Sequence, residues 1–188
     1  TMDPRSMDRR SFLAASFCGA CCAVLPPFRI PAPFSSPCAR PFGEDEITSV
    51  IRKETLFAGI RKPIQDRDEL TPRIEAVSRA CEGRIEGPLT HIFRFDTPVP
   101  GYDSEIGYPV SEAVNEGEIR THTLRSMHFF SNSHAGSVET NPQTRGRLYE
   151  YMNQVGLSPE LELVEVFHRY DPEEPKKQRI ESMASYLP

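Results

Sequence analysis

The feature that most constrains this sequence is a pattern that occurs twice, first in residues 73–93 and again in residues 147–167. The first copy has the features of an amphipathic helix, a glycine, a short loop and a strand that ends in Leu-Thr-His-Ile-Phe. The second copy follows the same order at a constant offset and ends in Leu-Val-Glu-Val-Phe. Such a repeat predicts two similar halves that bury their apolar faces against each other.

The first half is predicted to contain a strand, a helix and two further strands. Residues 47–61 form the opening strand, which is predicted to bend or to carry a bulge. Pro72 favours a helix start because the first helical turn needs no hydrogen bond from its N–H groups. Residues 89–95 and 106–110 alternate or cluster as the two closing strands. The helix places small or apolar side chains on one face, namely Ile74, Val77, Ser78 and Cys81.

The second half is predicted to repeat this order. Residues 118–133 form the opening strand, a helix begins near Asn141, and strands follow at 161–170 and 180–187. The buried stripe of this helix is predicted to comprise Leu148, Tyr151, Met152 and Val155. Gly83 and Gly156 are expected to end the two helices.

Neither half can bury both its helix and its sheet face alone, so the halves are expected to pair. The predicted fold class is α+β. Two β-α-β-β units join into one antiparallel sheet, with both helices on one side and a central ligand cleft. Repeat one spans about residues 45–112 and repeat two about residues 117–188.

Residues 1–42 differ in character from the rest of the chain. Paired arginines, Arg9 and Arg10, precede Ser-Phe-Leu and an apolar run, which resembles a twin-arginine export signal. The apolar run is too short for a stable membrane span, and residues 26–42 are a proline-rich tether. We therefore expect a targeting segment and tether at 1–42, a domain at 43–188, and export to the periplasm or beyond. An organellar transit peptide is the alternative.

Composition excludes several kinds of partner and cofactor. A net charge of −5 argues against a nucleic-acid partner, because phosphate binding needs a basic surface. All the cysteines except Cys81 lie in the N-terminal segment, and none stands at metal-ligand spacing with histidines. We find no phosphate-binding glycine loop, nucleophile elbow or Cys/His dyad. The sequence predicts no metal site and no cofactor, and it predicts a small molecule as the partner.

Several short motifs in both halves together resemble the GyrI-like small-molecule-binding domain, which also serves as the effector-binding module of some bacterial transcription regulators. The resemblance covers about residues 45–188, and the sequence lacks the tryptophan often found in such pockets. Motifs of the second half are His134-x-Gly136 before the helix, Glu165-Val166-Phe167, Asp171-Pro172 and the strand 181–187. Those of the first half are Gly87-Pro88, Phe93 and Glu105-Ile106-Gly107-Tyr108-Pro109-Val110, similar to an acidic-x-Gly-x-Pro-Val strand.

The resemblance implies two β-α-β-β units around a cleft, in which a Glu at the position of Glu165 faces the ligand. In this sequence Glu165 stands in an apolar strand, where it either faces solvent or lines an enclosed site. An enclosed carboxylate needs a partner, and a cation over aromatic walls would supply one. His91 aligns with Glu165 and is expected to face it across the cleft as an acid/base partner, or else to be a half-exposed strand residue.

Phe93, Tyr108 and Phe167 are candidate walls of the pocket, although aromatic residues at strand spacing also suit a core. Tyr102, Phe130 and Tyr149 are weaker candidates on the same grounds. The predicted function is binding of a small aromatic or cationic organic ligand rather than catalysis. One alternative is a hydrolase of an electrophilic small molecule with Glu165 as general base. A second is a haem-binding protein of similar architecture, with His91 as the available axial ligand.

Overall fold

The computed structural model describes most of the chain from residue 46 to residue 186. The described residues are 46–64, 69–95, 103–137, 141–158, 162–171 and 174–186. The predicted export segment and tether lie outside them, and so does the weaker candidate Tyr102.

The described residues form eight strands, two α-helices and a short 3-10 turn. The elements of the first half are β1 (Thr48–Arg52), β2 (Thr55–Arg61), α1 (Leu70–Ala80), β3 (Leu89–Arg94) and β4 (Asp103–Pro109). The elements of the second half are β5 (Arg120–Leu124), β6 (Met127–Ala135), α2 (Asn141–Gln154), β7 (Glu162–Arg169), the 3-10 turn (Pro175–Lys177) and β8 (Arg179–Ser185).

The opening strand of each half is divided in two, whereas the sequence predicted a bend or bulge in the first opening strand and a continuous second one. Lys53 and Glu54 separate β1 from β2, and Arg125 and Ser126 separate β5 from β6. All four residues are exposed, so they form a polar break between the two pieces of each opening strand. The break lets the two pieces reach different neighbours, because β1 pairs with β6 whereas β2 pairs with β4 and β5.

All eight strands form one antiparallel sheet in the order β1-β6-β8-β7-β3-β4-β2-β5. β1, β2, β3 and β4 correspond to β5, β6, β7 and β8. When each strand is replaced by its counterpart, the strand order is the same but is read from the opposite edge of the sheet. The central pair is β3 and β7, and His91 lies directly opposite Glu165 in their register. The predicted α+β class with a joined antiparallel sheet is therefore confirmed, and the two aligned residues meet at its middle.

Both helices cover the same side of the sheet. α1 packs on β2 and β4, and α2 packs on β6 and β8. Both helix ends have the predicted glycine, since Gly83 and Gly156 each have a φ of 77°. The predicted stripe of α1 is buried, whereas in α2 Val155 is 47% exposed because it lies just beyond the end of the helix. The central strands β3 and β7 thus lie between the sheet regions that the helices cover.

The other side of the sheet has its own buried core, although neither of the two described helices covers it. Phe57, Ile92 and Phe129 are fully buried there. The sheet curls, so that Val50 of β1 and Leu124 of β5 pack into this cluster from the two edges. The fold therefore buries apolar side chains on both faces of its central strands.

Candidate functional site

A row of polar side chains crosses the side of the sheet that faces the helices. Asn132, Ser182, Glu165 and His91 are register neighbours on β6, β8, β7 and β3. All four are buried, with Glu165 4% and His91 3% exposed. Buried polar groups are destabilising unless they are hydrogen-bonded, so each partner in this row matters.

Glu165 is enclosed and already has partners. The amide of Asn141 donates to its Oε1 over 2.7 Å, and Nη1 of Arg145 lies 3.5 Å from the same oxygen. The Ser182 hydroxyl donates to Oδ1 of Asn141 over 3.2 Å, which fixes the orientation of that amide. Glu165 is therefore enclosed rather than facing solvent, and Arg145 of the same chain is a counter-ion for it.

The inner face of α2 adds three polar residues to this row, and together they form the polar cluster. Asn141, Arg145 and Tyr149 follow at intervals of four residues, which places them on one face of the helix. The Tyr149 hydroxyl is buried without a hydrogen-bond partner in the described part of the chain. Burial raises the pKa of Tyr149 well above its ordinary value, with Arg145 opposing and Glu165 adding to the shift. The phenol therefore stays protonated and keeps an unused donor.

His91 lies beside Glu165 on the same sheet surface, not across a cleft from it as predicted. Its ring centre lies 4.0 Å from that of Phe93, and its Nε2 has no hydrogen-bond partner among the described residues. Burial, with a smaller contribution from the charges of Arg73 and Arg145, lowers the pKa of His91 to about 3. The half-exposed alternative is wrong, and the imidazole is neutral at physiological pH.

One buried arginine from each helix flanks the central pair. Arg73 of α1 donates to the carbonyls of Lys62 and Pro63 over 2.8 and 3.0 Å and forms an ion pair with Glu69. Arg145 is its counterpart on α2. Both arginines disfavour the protonated form of His91.

The structure groups some of the predicted aromatic residues and separates others. Phe93 lies against His91 at the centre. Phe167, on the same face of β7 as Glu165, packs into the core under α1 and against Tyr170, with ring centres 5.7 Å apart. Tyr108 is a core residue whose hydroxyl lies 2.8 Å from that of Ser78 beneath α1, so it does not line the polar cluster. Burial raises the pKa of Tyr108.

Sequence reasoning missed four members of the polar cluster, namely Asn132, Asn141, Arg145 and Ser182. The repeat alignment paired Arg73 with Arg147, which is exposed in α2, and so drew attention away from Arg145. The regular spacing of Asn141 and Arg145 up to Tyr149, a weaker candidate, was the available signal. In the strands, the alternation of buried side chains would have placed Asn132 and Ser182 facing α2.

Other features of the described residues lie apart from this cluster. No three His, Cys, Asp or Glu side chains among them are arranged to hold a metal ion. No helix in the described ranges is long and apolar enough to cross a membrane. An open surface depression beyond the end of α1 is lined by residues 83–86 and Ser111, and it contains none of the predicted site residues.

The sequence matches no family model, and no curated protein matches it. Solved structures do match the fold. The EcmrR C-terminal domain aligns with a TM-score of 0.61 and 13% identity over 76% of this chain and 97% of that one. SAV2435, solved bound to tetraphenylphosphonium, aligns with a TM-score of 0.56 and 13% identity over 76% of this chain and 94% of that one.

A longer chain also matches. EcmrR, in a cryo-EM structure of its DNA complex in EcmrR-RPo, aligns with a TM-score of 0.63 and 14% identity. That alignment covers 75% of this chain but 57% of the EcmrR chain, so the present chain spans little more than half of it. At these identities the likeness is one of fold, and the fold is that of the EcmrR C-terminal domain and SAV2435.

Proposed function

We propose that this chain is a GyrI-like domain that binds a small organic molecule where α2 meets the central strands β3 and β7. The polar groups that carry the proposal are His91, Asn132 and Tyr149, all buried without hydrogen-bond partners in the described residues. Folded proteins satisfy nearly all such groups, and the exceptions concentrate at functional sites. The likeness to SAV2435, which was solved with a small molecule bound, supports the same interpretation.

The ligand is expected to carry an aromatic ring. Phe93 and the neutral ring of His91 lie 4.0 Å apart and offer a surface on which an aromatic ring can stack. The cationic character predicted from the sequence depends on a carboxylate that lacks a partner. Glu165 has Arg145 beside it, so a cationic ligand would have to displace that guanidinium from the carboxylate.

Hydrolysis is the less favoured use of the same residues. A general base must take a proton from water, and its efficiency depends on its basicity. Asn141 and Arg145 both contact Oε1 of Glu165, so an attacking water would have to compete with them for that oxygen. The haem alternative has no supporting observation, since His91, its available axial ligand, is 3% exposed.

The test is native mass spectrometry of protein purified from its own host, followed by a fragment screen read by thermal shift. We expect a retained small molecule or stabilising aromatic fragments. Glu165→Gln and Tyr149→Phe should each reduce that stabilisation, whereas Glu118→Gln, a change of an exposed surface carboxylate, should not. A fragment response that is the same in all variants would contradict the proposed site, and conversion of a bound ester or epoxide fragment would favour the hydrolase.

We also propose that residues 1–42 direct export of the domain. A reporter fused after residue 42 should leave the bacterial cytoplasm. Replacing Arg9 and Arg10 with lysines should retain it there, because the twin-arginine signal is read through those side chains. Export that is unaffected by the double replacement would favour a different signal.

A further inference from the structure

The two edge strands of the sheet are preceded by similar segments of sequence. Residues 114–119, before β5, read Val-Asn-Glu-Gly-Glu-Ile, and residues 42–47, before β1, read Phe-Gly-Glu-Asp-Glu-Ile. The segments align without a gap, and they are separated by the same 72 residues as the strands that follow them. They share both glutamates and the final isoleucine, and each begins with an apolar residue. Segments repeated in this way are expected to occupy equivalent places in the two halves.

The segment before β5 belongs to the apolar core of the first half. Val114 and Ile119 are 4% and 5% exposed, and they lie in the same cluster as Val77 of α1 and Cys81 just beyond its end. The hydroxyl of Thr121 donates to the carbonyl of Val114 over 2.6 Å and accepts from its N–H over 2.7 Å. This segment therefore completes the core beneath α1.

The equivalent surface beside α2 is apolar but is not covered by any described residue to the same extent. Ile47 packs against the apolar cluster under α2, as its counterpart Ile119 does under α1. Val155 and Cys81 are also counterparts, since each lies just beyond its helix and bonds through its N–H to the carbonyl four residues earlier. Cys81 is inaccessible to water, whereas Val155 is 47% exposed.

A line of half-buried aromatic rings continues this surface from Val155 to the edge strand β1. Tyr151 lies one helical turn before Val155, and the centre of its ring is 5.3 Å from that of Phe130. Phe130 stacks on Tyr186 with ring centres 4.5 Å apart. The hydroxyl of Tyr186 lies 2.9 Å from that of Ser49 on β1. We call the three rings of Tyr151, Phe130 and Tyr186 the aromatic strip.

We propose that residues 42–45 dock beside α2, with the ring of Phe42 against Val155 and the aromatic strip. Phe42 then does in the second half what Val114 does in the first. The larger ring suits this place, because aromatic rings pack well against one another. Ser49 stands in the position of Thr121, so it supplies a hydroxyl for the backbone of Phe42.

This inference goes beyond ligand binding and does not depend on it. It makes the last residue of the predicted tether an anchored part of the domain. It also fastens the carboxyl end of α2, the helix that carries Arg145 and Tyr149 of the polar cluster.

A single introduced tryptophan tests the docking, because the sequence contains none of its own. Phe42→Trp is made in the full chain, and Phe34→Trp is the matched control because it lies in the same tether but outside the repeated segment. We expect Phe42→Trp to emit at shorter wavelength than Phe34→Trp and to be quenched less by acrylamide. The difference should disappear when both variants are unfolded in urea.

Substitutions on α2 identify the surface that Phe42 occupies. Val155→Lys, added to Phe42→Trp, should shift the emission towards that of Phe34→Trp because it places a charge in the contact. Gln154→Lys adds the same charge at an exposed neighbour and should leave the emission unchanged.

Unfolding in urea measures the contribution of Phe42 to stability. Phe42→Ala should raise the equilibrium constant of unfolding by at least about tenfold, since it removes a packed ring. Phe34→Ala should leave that constant unchanged.

Three results would overturn the inference. Equal emission and quenching of Phe42→Trp and Phe34→Trp would mean that residue 42 is not docked. Shielding of Phe42→Trp that persists with Val155→Lys would place the segment on another surface. Shielding that depends on protein concentration, with a dimer in sedimentation velocity, would mean that the segment binds a second copy of the chain. The proposed function stands or falls separately, by ligand binding.

Discussion

The two halves of this sheet have the same topology but different chemistry on the side that faces the helices. Six residues form one row across this side of the sheet. β3 and β7 contribute one residue each, β4 and β2 continue the row in the first half, and β8 and β6 continue it in the second half. The first half has His91, Ile106 and Ile60 in these positions, and the second half has Glu165, Ser182 and Asn132. One helix thus covers an apolar core and the other covers a polar cluster.

The difference teaches that the symmetry of a fold does not dictate the use of its halves. Under α1, apolar burial stabilises the domain through Val77, Cys81 and Ile106, which are all essentially inaccessible to water. Under α2, the same area contains an ion pair and several polar groups without partners in the described part of the chain. Such groups reduce stability, which is consistent with a half whose residues serve a ligand.

The ion pair under α2 should give the largest effect when it is broken. Arg145→Met leaves the buried carboxylate of Glu165 without its counter-ion, and we expect the free energy of unfolding to fall by about 3–5 kcal/mol. Urea denaturation followed by circular dichroism measures the change.

The double variant Arg145→Met with Glu165→Leu is the control, because it removes both charges. It should recover most of the loss, since buried ion pairs can be replaced by apolar residues at little net change. A double variant as unstable as Arg145→Met alone would show that Arg145 stabilises the domain by packing rather than by charge.

The histidine at the boundary of the two halves should make stability depend on pH. Its pKa is about 3 in the folded domain and about 6.5 in the unfolded chain, so the unfolded chain takes up the proton first as pH falls. Stability should decrease by about 1.4 kcal/mol for each pH unit below about 6.5, down to about pH 3. Denaturation of the unmodified domain and of His91→Gln at several pH values measures this slope, and parallel pH curves would contradict it.

The apolar half should be sensitive to a single added methyl group on the far side of the sheet. Gly59 and Gly107 lie opposite each other there, whereas the matching positions of the second half hold Ser131 and Met183. A Cβ on Gly107 would lie 2.1 Å from the carbonyl oxygen of Ala58. Gly107→Ala should therefore cost about 1–3 kcal/mol in thermal or urea unfolding.

Gly146→Ala is the matched control for that substitution. Gly146 lies within α2 and has nothing within 4 Å of the added Cβ, so alanine should stabilise the helix by up to about 1 kcal/mol. Equal losses in the two glycine variants would mean that close approach of β2 and β4 is not the cause.

The smallest effect is expected to have the opposite sign. Asn132→Leu removes a buried amide that has no partner in the described residues, and we expect a gain of about 1 kcal/mol in stability together with loss of ligand binding. At the matching position of the apolar half, Ile60→Asn should instead destabilise. A loss of stability in Asn132→Leu would mean that the amide is satisfied in solution.

The pattern that occurs twice in the sequence predicted most of the fold. Local patterns predicted the buried stripe of α1, the two glycine helix ends and the pairing of the halves. Strand alternation predicted that His91 and Glu165 lie on the same face as their neighbours. The division of the opening strands followed only in part. A bend or bulge was predicted in the first opening strand but not in the second, because exposed residues such as Arg125-Ser126 also suit one continuous strand. The pairing of β1 with β6 and of β5 with β2 joins strands of different halves. Such long-range pairing is not encoded in local sequence.

The site was predicted less fully than the fold. Glu165 stood out because a charge in an apolar strand is visible in one dimension. Arg145 did not, since arginine on a helix usually faces solvent and its partner lies on a separate strand. A counter-ion from a different element becomes apparent only when packing brings the two together.

The most direct measurement is an NMR titration of isotope-labelled domain with benzamide, an uncharged aromatic compound. A binding site between α2 and the central strands predicts shifts that concentrate at His91, Asn132, Arg145 and Glu165 and that disappear in Tyr149→Phe. Shifts confined to residues 83–86 and Ser111 beyond the end of α1, or no saturable shifts, would contradict it.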